Sequence, residues 1–135
     1  MAQFRPADHS KGDANTIGGY MAVHDRPAAF EGSDGFSYSV ELMTDATSGG
    51  DAPFAAYILF VKWSRIGAQT PEGHLETEYL VYGSSEADAR AKIGALKLTE
   101  VKRLLDALIK ESHQRLGQSP RRWYDVMHDE PEQDS

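Results

Sequence analysis

The segment Phe54 to Ile66 constrains the fold of this chain more than any other. Read with a period of two, Phe54, Ala56, Ile58 and Phe60 fall on one face and Ala55, Tyr57, Leu59, Val61 and Trp63 on the other. Both faces are therefore apolar, the pattern of a strand in the interior of a sheet, with neighbours along its edges and cover on each side.

The flanking sequence supplies the neighbours. Phe36, Tyr38, Val40 and Leu42 alternate with Ser37, Ser39 and Glu41, which predicts a strand with one buried and one wet face. Ala28 to Phe30 precedes it across Glu31-Gly32-Ser33-Asp34-Gly35, a connection of hairpin length with glycine where a turn needs it. His74 to Tyr82 reads as a half-exposed strand, with Leu75, Thr77, Tyr79 and Val81 on one side and His74, Glu76, Glu78, Leu80 and Tyr82 on the other. Tyr20 to His24 alternates weakly and stops before Pro27, so a short strand is expected there. Gly18-Gly19 and Gly49-Gly50 mark turns.

Two helices follow. Ser84 or Ser85 can cap the first, with Glu86 and Asp88 in its first turn and Ala89, Ile93 and Leu96 facing inward. Gly94 weakens that helix, and a break near Leu96 to Leu98 lets Thr99 cap a second. There Val101, Leu104, Leu105, Leu108, Ile109 and Leu116 share one face, Asp106/Lys110 and Glu111/Arg115 form acid-first pairs, and Gly117 is a stop. The fold class is α+β, an antiparallel sheet of three to five strands with two C-terminal helices packed on one face. The expected organisation is a flexible arm over 1–15, one domain over 16–117, and a C-terminal segment over 118–135 ending in a disordered acidic tail.

A chain of 135 residues accommodates one core of ordinary size. It contains no cysteine, which removes disulfides and thiolate chemistry. No stretch reaches the ~20 apolar residues of a membrane span, and the polar start reads as neither signal nor anchor, so a cytoplasmic protein without a membrane partner is expected. The net charge of −7 is uneven: residues 1–89 carry −8, residues 90–124 carry +6 and residues 125–135 carry −5. The basic helical stretch mixes its cations with Glu100, Asp106 and Glu111 in helix-stabilising positions, unlike a nucleic-acid surface, so nucleic acid is not expected as a partner.

Motifs that carry chemistry are scarce. Neither glycine-rich phosphate loop and no Gly-x-Ser-x-Gly elbow occurs, and no cofactor is expected. Ser84 and Ser85 are read as helix caps rather than nucleophiles. His74, Glu76 and Glu78 share a strand face, but a metal ion would need a further ligand from His24, Asp25 or Glu41. An enzyme of hydrolase-like or metal-assisted type would have to bring His24/Asp25 together with His74/Glu76.

The stronger expectation concerns the sheet. With helices on one face, the other carries an apolar row from the central strand, either Tyr57, Leu59, Val61 and Trp63 or Phe54, Ile58 and Phe60, between polar strands. Such a stripe asks for cover from the chain's own termini, including Trp123 and Tyr124, from a second copy in a homodimer, or from a different protein. The chain is accordingly read as a non-enzymatic interaction or regulatory module, an acidic inhibitor or immunity-type protein among the forms this could take. Trp63, Arg65, His74, Glu76, Trp123 and Tyr124 are its candidate partner-binding residues.

Overall fold

The segment that is apolar on both faces is the central strand of a five-stranded antiparallel sheet in the computed structural model, which describes residues 7–48, 50–64 and 69–118. After a short 3-10 turn at His9–Lys11 come α1 (Ile17–His24), β1 (Ala29–Glu31), β2 (Ser37–Ala46), β3 (Phe54–Trp63), β4 (Gly73–Glu76), β5 (Val81–Gly83), α2 (Glu86–Gly94) and α3 (Leu98–Gln118). β1 pairs with β2 and β2 with β3; β4 and β5 both lie on the other side of β3. The α+β architecture expected from periodicity is thus observed.

Register fixes the faces. Val40 lies opposite Phe60, Leu42 opposite Ile58 and Phe60 opposite Leu75. These residues meet Ala89 and Ile93 of α2 and Val101, Leu105 and Ile109 of α3 in the core. The start of α2 is specified as the sequence suggests, whereas Thr99 lies inside α3 rather than capping it: the Lys97 N–H before that helix donates to Glu100 Oε1 at 2.9 Å, and Gly117 also falls within the helix. The Ser85 hydroxyl accepts the Asp88 N–H at 3.0 Å, and Glu86 and Asp88 occupy the positive end of the α2 dipole. The α3 stripe buries Val101, Leu105 and Ile109 one or two turns apart. Glu111 and Arg115 pair at 3.7 Å, but Asp106 joins Lys102 at 2.6 Å instead of Lys110 and also accepts the Ser33 N–H. The helix thereby holds the turn between β1 and β2.

Two local expectations are overturned. Residues 20–24 belong to a helix, not a strand. Thr16 caps α1 by accepting the Gly19 N–H at 3.0 Å, and the Ile17 N–H donates to the Leu96 carbonyl at 2.7 Å. The Leu98 N–H in turn donates to Asn15, which clamps the start of α1 to the joint between α2 and α3. Gly18 is helical rather than a turn residue because a Cβ there would stand 2.9 Å from the Gly94 Cα. The glycines let α1 approach α2 closely, and tertiary packing overrides weak local propensity.

The second correction is at the edge. His74 to Tyr82 is not one strand, because the register sets Leu75 against Phe60 and Val81 against Ala56, with an extra pair of residues on the edge side. Residues 77–80 bulge out between β4 and β5. The bulge is held at both ends: the Thr77 and Leu80 N–H groups donate to the Ile58 and Ala56 carbonyls, and the Thr77 hydroxyl accepts the Ile58 N–H at 3.0 Å.

Candidate functional site, the second face of the sheet

All three helices lie on one side of the sheet, so the opposite face is formed by the remaining set of alternating side chains. Pairing of Glu41 with Leu59 and of Ser39 with Val61 assigns Tyr57, Leu59, Val61 and Trp63 to that face. All four are half-buried, as is Met43 beside them. Of the two rows the alternation left open, this is the one turned away from the helices; Phe54, Ile58 and Phe60 face the core.

The rim of this face has one sign. Strand register places Glu31, Glu41, Asp45 and Glu76 there, and His74 is the one group among the described residues of these strands that could carry positive charge on it. His74 Nε2 stands 3.6 Å from Glu76 Oε2 with both side chains more than half exposed, a contact of little energetic weight. Trp63 is fixed by its indole N–H, which donates to Ser39 Oγ at 3.0 Å across the strand. Arg65, Trp123 and Tyr124 lie outside the described residues.

Toward the β5 end the face becomes a depression of about 440 Å³ lined by Asp45, Tyr57, Glu76, Thr77, Glu78, Tyr79 and Tyr82. The bulge creates it. Strict alternation would send Tyr79 into the core and Leu80 to the second face, but the two exchange: Leu80 packs against the core, while the Tyr79 hydroxyl crosses β3 to donate to Asp45 Oδ2 on β2 at 2.8 Å. Asp45, Ala55 and Tyr82 form one register row beneath this bridge, and Ala55 in its middle is 0% exposed. The Tyr79 ring lies 6.0 Å from that of Tyr57 and 6.1 Å from that of Tyr82, tilted by 53° and 77°. The Tyr79–Tyr82 pair is edge-to-face and the Tyr57–Tyr79 pair tilted, and both contacts help hold the Tyr79 ring in place.

The electrostatics of the depression are uniform. Burial, with the nearby charges of Asp45 and Glu76, raises the pKa of Tyr57. The hydrogen bond to Asp45, with burial and the Asp45 charge, raises that of Tyr79. Both phenols stay protonated across the physiological range. Nothing in the alternation of residues 74–82 reveals the bulge, because a two-residue insertion leaves the phase unchanged on either side. Periodicity therefore could not find the Tyr57, Tyr79 and Tyr82 cluster.

The residues considered for enzyme chemistry do not come together. His24 ends α1 in the helical layer, 4.3 Å from the Tyr20 ring and 6.3 Å from that of His9, and Asp25 closes the helix in the left-handed conformation at φ 52°. His74 and Glu76 occupy second-face positions of β4, so the sheet lies between the two pairs. Among the described residues no three His, Asp or Glu side chains are grouped to hold a metal ion, and no helix is long and apolar enough to cross a membrane. Compared with protein-family models, curated proteins and solved structures, the chain matches none.

Proposed function

We propose that the protein is a non-enzymatic binding module, regulatory or inhibitory, whose second sheet face receives a protein partner with a basic contact surface. One observation carries this reading: the half-buried row Tyr57, Leu59, Val61 and Trp63 on the central strand is framed by Glu31, Glu41, Asp45 and Glu76. An apolar centre within a polar rim is the anatomy of a recognition patch, and the rim's sign selects the partner's. The same rim weighs against a homodimer, since a twofold axis through this face would set carboxylates against carboxylates.

The full-length protein, immobilised, should retain a partner from extracts of its native host, and the bound protein should present a cluster of lysine or arginine at its contact surface. Trp63→Ala should lower that retention by about tenfold or more while leaving a cooperative thermal transition. Leu59→Glu should abolish it. Retention unaffected by both substitutions, or a partner whose contact surface is acidic, would overturn the reading. Dimerisation through the face would do the same, as would occupation by the chain's own C-terminal segment; the latter would appear as retention gained on Trp123→Ala.

A further inference from the structure

We infer that the depression between Tyr57, Tyr79 and Tyr82 is a subsite for an organic cation, a guanidinium or alkylammonium group seated on tyrosine rings and neutralised by Asp45, Glu76 and Glu78. The inference rests on the proposed function only for the source of the cation, which on that reading is an arginine or lysine side chain of the partner. The cavity and its charge are properties of this chain alone.

Three observations converge on it. Among the described residues, the two large hydrophobic side chains left exposed are Tyr79 at 43% and Tyr82 at 49%, and both line this depression. Exposed aromatic faces cost solvation free energy that a ligand can recover, and their quadrupoles favour a positive guest. The lining also contains three carboxylates and no lysine or arginine. The ammonium that reaches the Tyr82 backbone is engaged elsewhere: Lys92 Nζ donates to the Tyr82 carbonyl at 2.9 Å and pairs with Asp88 at 3.4 Å. The Glu78 carboxylate has no partner among the described residues, and His74 at 3.6 Å is the one competitor for Glu76.

The site is also built in advance. Tyr79 is tethered at its hydroxyl by Asp45, at its ring by the two neighbouring tyrosines, and in its backbone by the hydrogen bonds that anchor both ends of the bulge. A ligand entering this space need not order the walls, and that saving distinguishes a pocket from a loose cluster of aromatic residues. Beside burial and the Tyr79 hydrogen bond, which are the larger causes, the charges of Asp45 on both phenols and of Glu76 on Tyr57 help raise their pKa values, as carboxylates placed to attract a cation would.

The test is a titration of the full-length protein followed by NMR of the Ala55 methyl and the tyrosine rings. The probes are tetramethylammonium, N-acetyl-arginine amide, a short arginine-containing peptide and an uncharged compound of the same shape as tetramethylammonium. Saturable shifts in the millimolar range confined to Ala55, Tyr57, Tyr79 and Tyr82 are expected with the cations and not with the uncharged compound. Tyr79→Leu and Glu78→Gln should each weaken binding by about tenfold, and because Glu78 is exposed its variant keeps the parent melting temperature.

A peptide that binds more than tenfold tighter than the free group assigns the cation to a protein side chain. Equal affinity assigns it to a free amine or guanidine; either outcome supports the subsite. No saturable shift with any cation, or equal shifts with the uncharged compound, overturns the inference. An unresponsive pocket alongside partner retention that is lost with Leu59→Glu would remove this inference alone. A responsive pocket alongside retention indifferent to Leu59→Glu would remove the proposed function and leave the subsite.

Discussion

At Asp34, burial and hydrogen bonding pull the carboxyl in opposite directions. The side chain is 7% exposed, which by itself favours the neutral acid. Against this, it accepts the Tyr38 hydroxyl at 2.7 Å and the Phe36 N–H at 3.2 Å, with Lys62 Nζ at 3.7 Å, and together these hold its pKa below the usual carboxylate value. A carboxyl whose pKa is lower in the folded than in the unfolded chain adds stability above the unfolded value of ~4 and loses it as pH falls through the folded value. Asp34→Asn should therefore destabilise the protein at neutral pH by about 1 to 3 kcal/mol, a gap that closes in acid, as urea melts at pH 7 and at about pH 3 would reveal. In the sequence Asp34 is an ordinary turn residue. Its partners arrive through register, which sets Tyr38 opposite Lys62, and composition does not encode that pairing.

The elements differ in how far the sequence discloses them. β2, β3, α2 and α3 each have periodicity and burial in agreement, and each appears where the pattern puts it, although of the expected helix caps Ser85 is found and Thr99 is not. α1 does not, since its apolar residues form no stripe and its two glycines read as a break. It is helical because Thr16 caps it and the joint between α2 and α3 grips it, contacts remote in sequence. Gly18→Ala should accordingly destabilise the fold even though alanine is the better helix former by about 1 kcal/mol, because the new methyl meets the Gly94 backbone. An increase in melting temperature would refute the close-approach account. Ser85→Ala should cost about 1 kcal/mol by removing the α2 cap, readable in the same thermal melts. The edge strand is a different kind of miss, because an inserted pair of residues is invisible to a period of two.

For the whole molecule the consequence lies in the separation of sign. The described helical residues 90–118, with seven basic and three acidic side chains, back a sheet whose second face carries acid, so partner retention should fall steeply as salt rises from about 50 to 500 mM and the screening length contracts. Sedimentation at low ionic strength should give a monomer, because copies meeting through that face would repel. That an apolar stripe lies on this face was legible from alternation, but which of the two rows forms it was settled by register, and the tyrosine pocket at its end depends on the bulge and was not legible. That bulge also bears on solubility. An uninterrupted ladder from residue 73 to residue 83 would offer any passing extended chain a template of free amides and carbonyls, the usual seed of strand-to-strand aggregation. By breaking the outer rail between residues 77 and 80, the molecule denies such a chain a continuous run to zip onto, and deleting residues 78 and 79 should trade the pocket for a stickier border.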